Sequence, residues 1–293
     1  MPLSFGASAL AVTIPYPHIR PELFRIGPFA LRWYGIMYLI GYMIGIVIAK
    51  RRVRRGLIPV SETAIDSLVI YLLAGMLIGA RLIYVLVYDF AAYKKNPLAA
   101  FAIWEGGLSF HGAVIGMGIA CIIFARRYHA PFWTVADTFA LGGTQGLFFG
   151  RLGNFINGEL YGRPTNLPWA MVFPSDRLHL PRHPSQLYEA FGEGLLVFGF
   201  LWLLERRALK GGWYRPGLLG GSFLIAYGVV RFLIEFTRQP DPQLGLVLGP
   251  FSMGQLLCAL MIVAGAVMLA VIYRKPPSHP PIAERAGGAL GSV

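Results

Sequence analysis

Seven stretches of this chain are apolar and long enough to cross a lipid bilayer as helices. They lie at residues 31–49, 66–88, 109–125, 132–150, 187–204, 217–236 and 252–273. A helix needs about 20 mostly apolar residues to span a hydrocarbon core roughly 30 Å thick. Hydrophobic residues make up 56% of the 293 and charged residues only 14%, which excludes an ordinary soluble domain. The sequence therefore predicts an all-α polytopic membrane protein with seven transmembrane helices.

Basic residues follow every second span and predict the orientation of the chain. The clusters are Lys50 to Arg55, Arg126 and Arg127, Arg206 to Arg215, and Arg274 and Lys275. Loops rich in Lys and Arg stay on the cytoplasmic side. The N-terminus is therefore predicted outside and the C-terminus in the cytoplasm. The same bias accounts for most of the net charge of +12, so no nucleic-acid partner is predicted.

The spans divide the chain into three predicted regions. Residues 1–30 form an N-terminal periplasmic or interfacial segment, 31–275 the seven-helix domain, and 276–293 a disordered cytoplasmic tail rich in Pro, Gly and Ala. The longest connection, around 151–186, is predicted to be a small irregular periplasmic segment.

Small residues recur at four-residue spacing within the spans, as in Gly75/Gly79 and Gly112/Gly116. This spacing lets helix backbones approach closely in lipid, so these glycines are predicted to form packing faces. Cys121 and Cys258 lie within apolar spans, far apart and without metal-ligand spacing, and are interpreted as packing residues.

Ionisable residues within the spans are costly in hydrocarbon and often line a cavity or pathway. On the predicted topology, one set of polar residues falls towards the outer leaflet: Tyr34, Arg81, His111, Arg151, Arg231 and Glu235. Arg231, Glu235 and Arg238 follow at i, i+4 and i+7 and share a helix face, so the glutamate can orient the arginines. Arginine grips phosphate with a planar fork of donors. The pattern predicts a site for the phosphate of an outer-leaflet phospholipid.

Each of these residues also has a structural interpretation. Arg151 and Arg231 can extend to the interface as lone snorkelling side chains, and Tyr34 can belong to the aromatic belt. His111 can be a hydrogen-bonded helix residue. Arg81, and Asp137 nearer the cytoplasmic side, are interpreted mainly as packing residues. The clustering in one leaflet favours a shared site.

Five motifs in this order carry a resemblance to a known family. They are LRWYGIMY (31–38), WEGGLSFHG (104–112), GRLGNFINGELYG (150–162), HPSQLYE (183–189) and RFLIEFTRQPD (231–241). Together they resemble the bacterial phosphatidylglycerol:prolipoprotein diacylglyceryl transferase family. The resemblance covers nearly the whole chain apart from its two ends.

The resemblance implies an enzyme of the bacterial cytoplasmic (inner) membrane. Its partners would be phosphatidylglycerol, prolipoprotein signal peptides with a lipobox cysteine, and the bilayer. It would move the diacylglyceryl group to the cysteine thiol and release glycerol 1-phosphate. The family's functional positions fall on Tyr34, His111, Asp137, Arg151, Asn154, Glu159, Gly162, Arg231 and Glu235, with Asp137 resting on the resemblance alone.

Roles follow from the chemistry of that reaction. Arg151 and Arg231 would hold the phosphate, and His111 is the candidate base for the thiol. Glu159 and Glu235 would orient arginines or relay protons. The remaining predicted contributors are Tyr34, Asn154, Asn157, Gly162 and Arg238 for lipid binding, with Asp137, Gln186 and Glu189 in support. Gly153, Gly158 and Gly162 would let the backbone turn tightly. No metal or cofactor is predicted, since metalloprotease, ATPase and serine-hydrolase motifs are absent from the sequence.

Two other classes stay open on the residues alone. An outer-leaflet anion or lipid transporter predicts polar residues running through to the cytoplasmic face, and here the inner halves are mostly apolar apart from Asp137. A non-catalytic lipid and signal-peptide receptor needs no base, so His111→Ala would leave its function intact.

Overall fold

The fold is mostly helical, as predicted, with three short hairpins that were not. The structure is a computed structural model that describes residues 13–17, 19–26, 29–102, 106–239, 246–248, 251–274 and 276–277. Its α-helices are α1 (Trp33–Arg54), α2 (Glu62–Ile83), α3 (Phe90–Lys95), α4 (Phe110–Arg127), α5 (Phe132–Ile156), α6 (Ser185–Glu189), α7 (Val197–Lys210), α8 (Leu218–Ile234) and α9 (Met253–Tyr273). Antiparallel pairs join β1 (Glu22–Ile26) to β2 (Phe29–Arg32), β3 (Met171–Val172) to β4 (Pro181–Arg182), and β5 (Leu246–Leu248) to β6 (Phe251–Ser252).

A helix occupies each of the seven predicted spans. Within the described ranges, five are long and apolar enough to cross a membrane: Trp33–Arg54, Glu62–Tyr88, Ser185–Lys210, Leu218–Thr237 and Met253–Tyr273. Two of these continue through π-helical turns, Tyr84–Tyr88 after α2 and Ala190–Leu196 between α6 and α7. The other two predicted spans coincide with α4 and α5. The chain is therefore a mostly helical protein with several membrane-spanning candidates.

The predicted irregular segment begins later than expected. Residues 151–156 continue α5 as helix, so the prediction that the chain becomes irregular at 151 was wrong. The physical reason is Phe155, which is buried against Tyr16 and Phe173 and holds the last turn in place. The irregular part, residues 157–184, contains β3 and β4 and is called the cap segment here.

The chain divides into two compact units, residues 1–45 with 141–293 and residues 46–140, and the divisions fall within α1 and α5. In the second unit, glycines bring α2 and α4 together. A Cβ added at Gly75 would lie 2.5 Å from the carbonyl oxygen of Gly116, and one added at Gly79 would overlap the carbonyl of Gly112. The predicted packing role of these glycines is confirmed.

Also in the second unit, Arg81 is buried and binds backbone carbonyl groups. Its guanidinium donates to five carbonyl oxygens, those of Ala99, Ala100, Ala102, Gly106 and Gly107. Arg81 thus holds the loop that leads to α4, which supports its structural interpretation.

Both cysteine thiols are free and buried, as the packing interpretation requires.

In the first unit, α9 begins with a capping box at Ser252. The Ser252 hydroxyl accepts a hydrogen bond from the backbone N–H of Gln255 at 3.3 Å, and the Gln255 side chain accepts from the N–H of Ser252 at 3.0 Å. From there α9 packs along α8, where Gly221 and Gly265 lie back to back. The start of α9 is therefore fixed locally.

A buried ion pair stabilises the cap segment. Arg182 donates through Nε and Nη2 to the two carboxyl oxygens of Asp176, at 2.5 and 3.1 Å. Burial acts to raise the pKa of Asp176, but hydrogen bonds from Arg182 and from the N–H groups of Leu178 and Leu180 outweigh it and lower the pKa below its usual value. The Arg182 guanidinium also lies 4.9 Å from the ring centre of Tyr161.

Some predictions fall outside the described residues. Of the predicted tail, 276–293, only 276–277 are described, and residues 1–12 of the N-terminal region are not. Four motif residues, Trp104, Glu105, Pro240 and Asp241, also lie outside.

Candidate active site

Three arginines meet in the first unit, each near the end of a helix. Arg151 lies in the last turns of α5 and Arg231 in the last turn of α8. Arg238 follows the 3₁₀ turn Glu235–Thr237 that ends α8. Their side chains are only 22%, 14% and 17% exposed. Buried guanidinium groups need acceptors, and carboxylates provide them here.

Glu189 links two of these arginines. This residue ends α6 and its side chain is fully buried. Its Oε2 lies 2.8 Å from Nε of Arg151, and its Oε1 accepts a hydrogen bond of 2.5 Å from Nη1 of Arg238. Glu189 was predicted only as a supporting residue, whereas the structure makes it the bridge between two cations.

Glu235 links the second pair. Its Oε2 lies 2.7 Å from Nη1 of Arg231 and 3.4 Å from Nε of Arg238, and its Oε1 accepts a 2.9 Å hydrogen bond from the Ser252 hydroxyl. The predicted i, i+4 pairing of Arg231 with Glu235 is confirmed. Glu235 also ties the end of α8 to the start of α9.

A third carboxylate, Glu193, completes the set and was missed by the sequence analysis. It lies in the π-helical turn Ala190–Leu196, is fully buried, and has Oε1 3.5 Å from Nε of Arg231. The available signal was a lone glutamate four residues after Glu189 in an apolar span. The six residues form an alternating chain, called the arginine–glutamate network: Arg151, Glu189, Arg238, Glu235, Arg231 and Glu193.

The turn after α5 is built around Glu159. Its Oε1 accepts hydrogen bonds from the side-chain amides of Asn154 at 2.9 Å and Asn157 at 3.1 Å. The Glu159 backbone N–H donates to the carbonyl of Asn154, and its own carbonyl accepts a 2.6 Å hydrogen bond from the buried Gln186. Three predicted site residues are thus brought together, and Gln186 on α6 binds the backbone of one of them.

Gly162 lies where three backbone segments meet. It forms an antiparallel bridge with Arg238, and its N–H donates to the carbonyl of His183 at 2.9 Å. A Cβ at this position would lie 2.8 Å from Cβ of His183 and would overlap the carbonyl oxygen of Thr237. Glycine is therefore required here by close packing next to Arg238.

Gly153 has a different role from the one predicted. It lies inside α5 rather than in a tight turn, so that prediction was wrong. Tyr34 packs against it, and an added Cβ would lie 3.0 Å from Cδ2 of the tyrosine ring. The Tyr34 hydroxyl also bonds to that of Tyr38 at 3.2 Å. Tyr34 is thereby held beside the part of α5 that carries Arg151. Gly158 does adopt a left-handed conformation, with φ 68°.

Comparison with known proteins identifies the family. The sequence profile described as "Prolipoprotein diacylglyceryl transferase" matches residues 21–271. This chain belongs to that family. Relatives named "Phosphatidylglycerol--prolipoprotein diacylglyceryl transferase" match along nearly their whole length. The Bordetella parapertussis protein is 46% identical over 91% of this chain and 100% of its own, and that of Pseudomonas putida is 44% identical over 92% and 99%. The Geobacter sulfurreducens protein is 44% identical over 89% and 98%.

Membership of the diacylglyceryl transferase family gives the arginine–glutamate network a context. The family-implied residues Arg151, Arg231 and Glu235 are all members of it. Asn154 in the last turn of α5 is hydrogen-bonded to Glu159 in the turn after it, and Gly162 pairs with Arg238. Within the first unit, the structure therefore brings the predicted polar residues of this transferase into two adjoining groups of contacts.

Two family-implied residues belong to the second unit. His111 is the second residue of α4, and its side chain lies outside the described part of the chain. Asp137 is fully buried in α5, one residue before Thr138, which accepts a 2.9 Å hydrogen bond from Arg52. The role of His111 as base and that of Asp137 as support stay predictions for this transferase.

Proposed function

We propose that this protein transfers the diacylglyceryl group of phosphatidylglycerol to the thiol of a lipobox cysteine in a prolipoprotein, the first step of lipoprotein maturation. The product is a thioether, and glycerol 1-phosphate is released. The observation that carries the proposal is the arginine–glutamate network, in which three largely buried arginines are held together in a chain of the transferase family.

The reaction breaks the bond between a glyceryl carbon and a phosphate oxygen as sulfur attacks that carbon. The phosphate changes from a diester with one negative charge to a monoester with up to two, so negative charge grows in the transition state. Arg151 and Arg231 would bind this phosphate, and Arg238 would reinforce them. The glutamates fix the guanidinium groups in advance, so little reorganisation is needed as charge develops.

The remaining roles concern the thiol and the headgroup. A free cysteine has a pKa of about 8.5, so a base that titrates near 6.5, such as His111, would help to form the thiolate. Asn154 and Asn157 would bind the glycerol hydroxyls, and Tyr34 would line the side of the site where the lipid binds. Glu159 orients both asparagine amides, which supports a headgroup role for that turn.

In the cell, the protein would be a multi-pass component of the bacterial cytoplasmic membrane. We propose seven spans, with the N-terminus outside and the C-terminus in the cytoplasm, because basic clusters lie at or just after the C-terminal ends of α1, α4, α7 and α9. On this topology α5 and α8 both run outward. Arg151 and Arg231, near their C-terminal ends, would then face the outer leaflet, where the secreted substrate presents its cysteine.

The test uses purified protein in detergent with phosphatidylglycerol and a lipobox peptide, following glycerol phosphate release and peptide mass. Wild type should yield thioether-linked product. Arg231→Ala should lose about 100- to 1000-fold in turnover, as expected when one charge-stabilising donor is removed. The matched control is Arg177→Ala, an exposed arginine of the cap segment, which should retain activity. A wild type that binds the lipid without product, or a fully active Arg231→Ala, would refute the proposal.

A further inference from the structure

Glu193 is a buried carboxyl group that the proposed reaction has not used. Among the described residues, none donates a hydrogen bond to either of its oxygens, and its Oε1 lies 3.5 Å from Nε of Arg231. Glu189 and Glu235, by contrast, each have an arginine nitrogen within 2.8 Å. An ionised carboxylate without close partners is unfavourable in a buried site, so the group either keeps its proton or receives a ligand.

The backbone on either side of Glu193 packs against α5 and α8, the two helices that carry the proposed phosphate-binding arginines. Its neighbours are both glycines, and both are in close contact. A Cβ at Gly192 would lie 2.8 Å from Cγ1 of Val230, the residue before Arg231. A Cβ at Gly194 would lie 2.5 Å from Cβ of Phe148, three residues before Arg151. π-Helical turns occur often at functional sites. Glu193 is thus wedged between α5 and α8.

Charge balance favours a neutral Glu193. With all six members ionised, three arginines and three glutamates cancel, and the network would have no net charge to attract a phosphodiester. A protonated Glu193 leaves the network with one net positive charge, which matches the single negative charge of phosphatidylglycerol. Among the described residues, those close enough to interact electrostatically with Glu193 include Glu189, Arg151, Arg231, Arg238, Tyr227 and Cys258.

We propose that Glu193 holds a proton in the resting enzyme and donates it to the phosphate as the carbon–oxygen bond breaks. This inference rests on the transferase function proposed above. Sulfur forms a bond to the glyceryl carbon, and the electron pair of the broken bond goes to the phosphate oxygen. The Glu193 proton moves to that phosphate, so glycerol phosphate leaves as a monoanion. The new carboxylate pairs with Arg231. The base takes the thiol proton, which then passes through water to the Glu193 carboxylate and protonates it again. The overall reaction therefore transfers the thiol proton to glycerol phosphate.

The test compares wild type, Glu193→Gln and Glu193→Asp in steady-state kinetics across pH. An amide donates a hydrogen bond as a protonated carboxyl does but cannot give up its proton. Glu193→Gln should therefore keep KM for phosphatidylglycerol within about three-fold and lower kcat at least ~100-fold, the usual effect of removing a general acid. Wild-type kcat should fall at alkaline pH as Glu193 loses its proton. This alkaline limb of the pH profile should be absent in Glu193→Gln.

The shorter carboxylate and another buried glutamate supply the controls. Glu193→Asp should keep the alkaline limb at a lower kcat, and it keeps the inference testable if Glu193→Gln does not fold. Glu205→Gln changes another buried glutamate of the same span and should leave kcat and the limb unchanged. A Glu193→Gln variant whose KM rises as kcat stays constant would show that a carboxylate merely orients Arg231, and would overturn the inference.

Infrared spectroscopy gives a readout that does not depend on turnover. The wild type should show the C=O stretch of a protonated buried carboxylic acid, and Glu193→Gln should lack it. If this band is present and no product forms with any protein, the transferase proposal fails while the protonation of Glu193 stands. If product forms and the band is absent from the wild type, the inference about Glu193 fails alone.

Discussion

Replacing Gly162 with alanine is expected to disable the site without removing any group that binds substrate. Gly162 pairs with Arg238 across an antiparallel bridge, and an added Cβ would lie 2.8 Å from Cβ of His183. The same atom would overlap the carbonyl oxygen of Thr237, the residue before Arg238. Carbon atoms pack best at about 3.5–4.0 Å, so the backbone next to Arg238 must move by roughly 1 Å.

Two magnitudes follow for Gly162→Ala. Overpacking of this kind lowers the free energy of unfolding by about 1–3 kcal/mol. A displacement of about 1 Å in a positioned catalytic group lowers the rate by about 100-fold. We therefore expect a lower midpoint of thermal unfolding in detergent together with a roughly 100-fold fall in kcat/KM for the lipobox peptide.

The control is Gly199→Ala in α7, where no heavy atom lies within 4 Å of the added Cβ. This variant should keep wild-type activity and gain up to about 1 kcal/mol, because alanine favours a helix. Wild-type stability and activity in Gly162→Ala would refute the packing argument. Loss of activity at unchanged stability would instead indicate that Gly162 contacts the substrate directly.

Two further perturbations test the ion pairs. Glu189→Gln leaves Arg151 and Arg238 without their shared carboxylate and should lower the free energy of unfolding by about 3 kcal/mol. This is the low end of the range for breaking a buried ion pair, because both arginines are partly exposed. Urea unfolding followed by tryptophan fluorescence measures this, and a variant as stable as wild type would contradict it. Asp176 has a folded-state pKa below its unfolded value of about 3.9, so its contribution to stability is complete well above pH 4 and is lost as pH falls through the folded-state pKa. Asp176→Asn should therefore remove that acid-dependent loss from the unfolding free energy, and an unchanged acid limb would show that other groups cause it.

Local rules predicted the parts of the site that are close in sequence. The spacing of Arg231 and Glu235 on one helix face led directly to their contact, since residues four apart on a helix are neighbours. Helix positions were also predictable, because long apolar runs have few alternatives in a bilayer. The ends of helices were harder, as residues 151–156 show, since a distant tyrosine, Tyr16, packs on Phe155 and extends α5.

The parts of the site that were not predicted from the sequence depend on contacts between segments that are distant in the chain. Glu189 joins Arg151 to Arg238, and neither pairing can be read from spacing. Glu193 is a single glutamate in an apolar run, and the change from α- to π-helical geometry that sets its direction leaves no pattern in the sequence. The β1–β2 hairpin was also missed, because its pairing depends on tertiary context more than on propensity. The role of His111 stays a prediction.

The hydrogen bond between Ser252 and Glu235 has a consequence for how the protein is made. Ser252 is the N-cap of α9, the C-terminal helix of the described residues, and its hydroxyl binds the carboxylate that holds Arg231. A nascent chain that stops before Ser252 already contains all three arginines and all three glutamates of the network. It nevertheless lacks the hydroxyl that donates to Oε1 of Glu235. This hydrogen bond therefore forms only after Ser252 has been synthesised, so a protein truncated before Ser252 would retain every charged residue of the network, and Oε1 of Glu235 would lack its donor.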